Sequence, residues 1–163
     1  MKVIVLAYGR GGHQEQIRRL ATLLSESSSE PLHFLCITDS NSVISDLNNV
    51  ISYYRFNEVR DKYSASKTVF NFLPLVLKQF FLIVYLRLKY NVCGVISTGP
   101  GVSVIPIIMF KLFGVKTVAF ESWSRFSKPS ITGRILSKIV NIFYIQNKSI
   151  SKAYKGSTYK GRL

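Results

Sequence analysis

Val3-Ile4-Val5-Leu6-Ala7-Tyr8-Gly9-Arg10-Gly11-Gly12-His13 opens the chain and decides its class. Val3–Ala7 is a continuous apolar run, the pattern of a strand buried on both faces. Glycines at 9, 11 and 12 follow at once, and Gln14–Leu24 reads as a helix. A strand, a glycine-rich turn and a helix aim backbone N–H groups and a helix N-terminus at one point, most often the seat of a phosphate. The dinucleotide fingerprint is not met, because the position of its last glycine or alanine is held by Gln14.

The same alternation continues down the chain. Leu32–Thr38 and Val50–Tyr54 read as strands, and the turn Asp39–Ser42 is placed to cap a short helix through Leu47. Residues 55–66 carry mixed charge without a period and read as a mobile loop. A long apolar helix from Lys67 to about Lys89 is followed by strand Val92–Ser97, turn Thr98-Gly99-Pro100-Gly101 and a helix over 102–113. Gly114 stands where a helix C-terminal glycine belongs. Strand Val115–Phe120, loop Glu121–Lys128, helix 129–138, strand Ile139–Ile145 and a short helix to about Tyr154 complete the order. This predicts one α/β domain over residues 1–163, a Rossmann-like, doubly wound parallel sheet of about six strands with helices on both faces. Ligands of such sheets bind at the carboxyl ends of strands, where the polar turns Gly9–His13, Thr98–Gly101 and Glu121–Arg125 fall.

Charge is unevenly placed. The formal net charge is +14, yet residues 1–62 are balanced, and residues 63–163 hold fifteen Lys and Arg against Glu121 alone. Such asymmetry points to an anionic partner: headgroups, nucleic acid or phosphorylated substrates. A hydrophobic content of 47% and a mean hydropathy of +0.19 suggest apolar surface that something else covers. Cys36 and Cys93 lie in strand-like runs without a pairing framework and are expected as reduced, buried thiols. The first residues enter a strand directly, so no signal peptide is expected.

On the long helix, Lys67, Asn71, Lys78, Tyr85 and Lys89 fall within roughly 40° of one another, and nearly all the rest is apolar. A full span would bury Lys78 near the bilayer centre at about 2.5–3.5 kcal/mol. It would also separate two strands of one sheet across a membrane. The helix is therefore read either as core or as a monotopic membrane or partner face carrying Phe72, Leu75, Lys78, Phe81, Leu82 and Lys89.

His13 stands at the start of the first helix, whose positive end favours a neutral ring suited to act as a base or to bind a hydroxyl; a plain capping role is the alternative. Glu121 ends the fifth strand, either as a salt-bridge partner or as a base or acceptor for sugar hydroxyls. Arg10, Arg125 and Arg134 are phosphate donors if they converge. No metal-ligand spacing, Walker loop or Gly-x-Ser-x-Gly elbow occurs. Tyrosines interleave with bases in the last fifteen residues, but no nucleic-acid motif accompanies them; a basic Rossmann-like nucleic-acid module stays the second reading.

Five motifs occur in order: Gly9-x-Gly11-Gly12-His13, Ser97-Thr98-Gly99-Pro100-Gly101 with Pro106, Glu121-Ser122-Trp123-Ser124-Arg125, Thr132-Gly133-Arg134, and Gly161-Arg162-Leu163. Together they resemble the bacterial capsule and exopolysaccharide biosynthesis proteins of the PssD type. That family includes the Alg-fourteen-like anchoring subunit of the lipid-linked N-acetylglucosaminyltransferase, and the first motif is shared with MurG-like glycosyltransferases. The resemblance covers the whole chain. It implies the N-terminal, acceptor-side Rossmann half of a split GT-B hexosyltransferase, active only with a C-terminal-type partner subunit. The partner is expected to hold the UDP-sugar, with no cofactor on this chain, and the acceptor to be a polyprenyl-diphosphate-linked sugar. By position, the resemblance puts Gly9, Gly11, Gly12, Thr98, Gly99 and Gly101 at the acceptor diphosphate, with His13 or Glu121 assisting deprotonation of its hydroxyl. Eukaryotic members begin with a membrane anchor, whereas this chain begins with its first strand. Attachment to the anionic cytoplasmic face of the bacterial plasma membrane is thus expected from the apolar helix and the basic half.

Overall fold

The computed structural model describes residues 1–41, 43–44, 47–56 and 65–163, of which 65–72 by backbone alone. Its elements are β1 (Lys2–Tyr8), α1 (Gly12–Ser27), β2 (His33–Thr38), β3 (Val50–Arg55), α2 (Ala65–Lys89), β4 (Asn91–Ser97), α3 (Val104–Leu112), β5 (Lys116–Phe120), α4 (Ile131–Leu136), β6 (Ile142–Ile145) and β7 (Thr158–Tyr159). Short 3₁₀ turns at Gly101–Ser103 and Lys148–Ala153 precede α3 and follow β6. The strands form one sheet in the order β3-β2-β1-β4-β5-β6-β7, and every neighbouring pair is parallel. This is the Rossmann-like α/β sheet the alternation predicts, with a seventh strand added. Two residues are too few to show a period, and β7 is held by pairing Thr158 and Tyr159 with Tyr144 and Ile145.

The helix expected over 129–138 and the strand over 139–145 are both shorter. The Leu136 carbonyl accepts the amides of Ile139 and Val140 at 3.0 Å each, closing the helix in a turn. Asn141 Oδ1 then accepts from the amide and hydroxyl of Thr117 (3.0 and 3.1 Å), so pairing with β5 begins at Ile142. Of the short helix expected through Leu47, residues 42, 45 and 46 lie outside the described residues, and Val43, Ile44 and Leu47 are not helical. The loop expected over 55–66 falls largely outside them as well, while Ala65 and Ser66 already belong to α2.

Alternation along β1 divides the interior into two cores. Val3 and Val5 join Ile83 of α2, Ile107 and Phe110 of α3 and Leu136 of α4 on one face. Leu6 and Tyr8 join Ile17 and Ala21 of α1 on the other. Among the described residues, three helices thus cover one side of the sheet and α1 the other. Beyond α1, the face formed by Ile96, Val118, Phe120 and Tyr144 floors an apolar groove of about 370 Å³, with Leu20 and Leu24 on one wall and Lys160–Leu163 at its rim.

α2 has its buried stripe at Gln79, Ile83 and Leu86. Roughly 150° around the helix lies a second apolar stripe, Leu73, Leu77, Phe80, Phe81 and Leu88, turned outward, with Phe81 67% and Leu88 84% exposed. Lys78 and Lys89 stand exposed at the edge between the two. Of the face expected from the sequence, Lys78, Phe81 and Lys89 are outward, whereas Leu75 is half-buried and Leu82 packs on the core; the Phe72 side chain lies outside the description. The correction follows from phase: the stripe led by Gln79 packs on the sheet, and Leu75 and Leu82 lie one turn below and above it. Cys36 is buried as expected, its thiol pushed up to about 12 by burial, but Cys93 is exposed on β4.

Candidate functional site

The turns after β1, β4 and β5 meet at the carboxyl edge of the sheet, around a cleft of about 400 Å³. It is lined by His13 at the start of α1, Gly99–Gly101 after β4, Glu121, Ser122, Ser124 and Arg125 after β5, and Ser130–Thr132 at the start of α4. Parallel winding brings these separated stretches together, since each crossover returns the chain to the amino edge and the next strand again ends at the carboxyl edge.

His13 and Thr98 clasp each other. The ring Nδ1 lies 2.6 Å from the Thr98 carbonyl oxygen, and the Thr98 hydroxyl donates to the His13 carbonyl at 3.0 Å. A carbonyl only accepts, so Nδ1 carries the hydrogen and Nε2 keeps its lone pair in the neutral ring. Burial lowers the His13 pKa; the Thr98 carbonyl, Asp39 and Glu121 oppose the shift, and Arg125 adds to it. The result is a neutral imidazole of fixed tautomer on the cleft wall.

The β4 turn is shaped by Gly99, whose φ of +87° belongs to the left-handed region, and whose amide donates to Ser97 Oγ at 3.0 Å. A Cβ there would also stand 2.9 Å from the Phe120 carbonyl oxygen, so the β4 and β5 turns approach through this glycine.

Glu121 is 1% exposed and fully engaged. Its carboxylate accepts from the amides of Ser122 (2.9 Å) and Ser130 (3.1 Å), from the Ser130 hydroxyl (2.8 Å) and from the Tyr154 hydroxyl. Ser130 in turn caps α4, its Oγ accepting from the Gly133 amide at 2.8 Å. Burial and the adjacent carboxylate raise the Tyr154 pKa, so its hydroxyl stays protonated and donates. Gly133 leaves the room for this cluster: a Cβ at 133 would collide with Glu121 Oε2, the Tyr154 hydroxyl and Ser130 Oγ. The carboxylate thus acts as a buried tie between β5, α4 and the chain after β6.

Of the residues singled out from sequence, His13, Gly99, Gly101, Glu121 and Arg125 line the cleft, and Thr98 adjoins it through His13. Gly9, Arg10, Gly11 and Gly12 form the neighbouring turn, where the Arg10 amide donates to Asp39 Oδ1 at 3.1 Å. Arg134 is exposed on α4 and is not among the lining residues, so of the three arginines only Arg125 reaches the cleft. Sequence reasoning missed Ser130, Tyr154, Gln146 and Asn147, whose partners lie far along the chain. The side-chain amides of Gln146 and Asn147 reach back to the Glu121–Arg125 loop. The one available signal is their place directly after β6, at the same sheet edge. Among the described residues, no cluster of His, Cys, Asp and Glu is arranged to hold a metal ion.

Known proteins share this fold. In structure, MurG of Acinetobacter baumannii superposes with a TM-score of 0.65 at 15% identity, over 99% of this chain and 44% of that one. A ugt transferase from Siraitia grosvenorii gives 0.55 at 11% identity, over 99% and 50%. The chain therefore spans about half of these GT-B proteins and has the fold of their N-terminal half. In sequence it is similar to the UDP-N-acetylglucosamine transferase subunit ALG14 of Homo sapiens, 28% identical over all of this chain and 83% of that protein. The subunit of the same name from Candida albicans is 23% identical over 95% of this chain and 75% of that one. The family model described as "Oligosaccharide biosynthesis protein Alg14 like" matches residues 3–163, and the chain belongs to that family.

Proposed function

We propose that this chain is the acceptor-side subunit of a two-component glycosyltransferase that extends a polyprenyl-diphosphate-linked sugar during capsule or exopolysaccharide assembly. The observation that carries the reading is His13, neutral and held by the Thr98 carbonyl in a cleft with Arg125 and the Gly99–Gly101 turn. In this reading His13 Nε2 takes the proton of the acceptor hydroxyl. The hydroxyl oxygen bonds to the anomeric carbon of the donor sugar as its bond to UDP breaks, and UDP leaves with the partner. Arg125, the Gly99–Gly101 backbone and the hydroxyls of Ser124 and Thr132 hold the acceptor diphosphate. Arg10 and the Gly9–Gly12 turn, already beside Asp39, shape the wall behind His13, and Glu121 positions α4. The named relatives support the assignment to a transferase subunit. We assign UDP-sugar to the partner subunit, a reading supported by the likeness of this chain to the N-terminal half of GT-B proteins.

The two apolar surfaces left uncovered among the described residues suit different occupants. The outward stripe of α2 is convex and edged by Lys78 and Lys89, which fits an anionic bilayer surface on the cytoplasmic face. Among the described residues no helix is long and apolar enough to cross a membrane. The groove beside β5 and β6 is concave, which fits a protein segment, and we assign it to the partner.

Sugar transfer should require this chain, the partner subunit, UDP-sugar and lipid acceptor together; full-rate transfer by this chain alone would refute the split-enzyme reading. In flotation, the protein should rise with anionic liposomes and be released at about 0.5 M salt, where screening leaves a Debye length under ~5 Å. Leu77→Asp with Phe81→Asp should abolish flotation without unfolding the chain, both positions being exposed. Salt-sensitive binding to single-stranded oligonucleotides with no liposome association would instead favour a nucleic-acid module.

A further inference from the structure

We infer that Asn147 and Gln146 are positioning residues of the cleft: their side-chain amides set the path of the Glu121–Arg125 loop and thereby the place of Arg125. The inference rests on the acceptor-site reading given above. The carbonyl oxygens of Glu121, Trp123 and Arg125, every second residue of the loop, each accept from one of these amides. Gln146 Nε2 donates to Glu121 at 2.9 Å, and Asn147 Nδ2 donates to Trp123 at 3.0 Å and to Arg125 at 2.7 Å. Both donors of the Asn147 amide are therefore used. Because carbonyls only accept, the amide nitrogens face the loop, which settles the orientation of both side chains.

The loop gains little order from its own backbone, where the amide of Arg125 donates to the Ser122 carbonyl at 3.1 Å. Its course is set from β6. With the odd carbonyls drawn inward, Ser122, Ser124 and Arg125 line the cleft. The two amides are 1% and 9% exposed, so water does not replace the bonds they make. Gln146 Oε1 also accepts the Leu163 amide at 3.1 Å, and the Arg162 guanidinium lies 3.4 Å from the Trp123 carbonyl oxygen. The groove rim and the cleft loop thus share one set of anchors.

Asn147→Asp is the sharp test, since it keeps the shape and points carboxylate oxygens at two carbonyl oxygens. In the two-subunit complex it should raise the acceptor KM about tenfold, the scale of one lost hydrogen bond to a held group, and leave the donor KM unchanged. Arg125→Ala should act in the same direction. In an Arg125→Ala background, Asn147→Asp should add less than about twofold, because the two act through one element. An unchanged acceptor KM, equal losses for donor and acceptor, or full additivity with Arg125→Ala would overturn the inference while leaving the acceptor-site reading intact. No transfer by the wild-type complex would instead sink that reading, and hydrogen exchange on the chain alone then decides the loop claim. Asn147→Asp should speed exchange of amides 122–126 and not those of β1, β2 and β4; unchanged exchange would overturn the claim. If Asn147→Asp does not fold, Asn147→Ala, which removes the donors without adding charge, takes its place in both experiments.

Discussion

Replacing His13 with alanine is expected to slow sugar transfer by the two-subunit complex about 10²–10⁴-fold, the range that a positioned general base contributes. Its ring is oriented rather than merely present, since Nδ1 is committed to the Thr98 carbonyl at 2.6 Å and Nε2 is left as the acceptor. Acceptor KM should move far less than the rate, because the lost proton transfer belongs to the transition state. Burial lowers the His13 pKa from 6.5, so the wild-type rate should hold as pH falls past 6.5 and drop only on passing through the lowered value. That acid limb should vanish in His13→Ala. Stability carries the same sign: below 6.5 the unfolded chain takes up a proton that the folded ring resists, so stability is full above 6.5 and declines as pH falls. A His13→Ala complex within about threefold of wild type, or one that keeps the acid limb, would remove His13 from the role of base.

Gly133→Ala is expected to destabilise the protein by about 2–4 kcal/mol, although an exposed helical Gly→Ala exchange ordinarily stabilises by ~1 kcal/mol. The sign reverses because the added methyl meets Glu121 Oε2, the Tyr154 hydroxyl and Ser130 Oγ at once. None of the three can retreat alone: Ser130 caps α4, Tyr154 is 3% exposed in the core, and Glu121 accepts from both. At this chain length the change corresponds to a fall in Tm of roughly 5–15 °C, read by calorimetry or thermal circular dichroism. An unchanged or raised Tm would show that the cluster is loosely packed.

Fold class was legible because Val3–His13 compresses a buried strand, a glycine turn and a helix start into eleven residues, and the alternation repeats. The polar turns marked for the cleft were legible for the same reason, since parallel winding returns each to one edge. What escaped depends on distant partners. Glu121, read as either a salt-bridge partner or a base among many cations, is held instead by the amide and hydroxyl of Ser130 and the hydroxyl of Tyr154, nine and 33 residues away. Arg134 and Arg125 look equivalent as sequence, and only the turn of α4 separates them. The phase of α2 was hidden because a buried glutamine, Gln79, leads its packed stripe, and polarity alone would have turned that residue outward.

The lopsided winding, three helices on one side of the sheet and one on the other among the described residues, bears on the life of the chain. On the proposed assignment of the groove over β5 and β6 to a partner, part of the folded state's stability would come from another molecule. By mass action it grows with the logarithm of partner concentration, about 2.7 kcal/mol at a hundred times Kd. Chain made in excess of that partner would lack the increment and unfold more often, which would expose it to proteases. On that assignment the shape of one sheet face would favour matched synthesis of the two subunits.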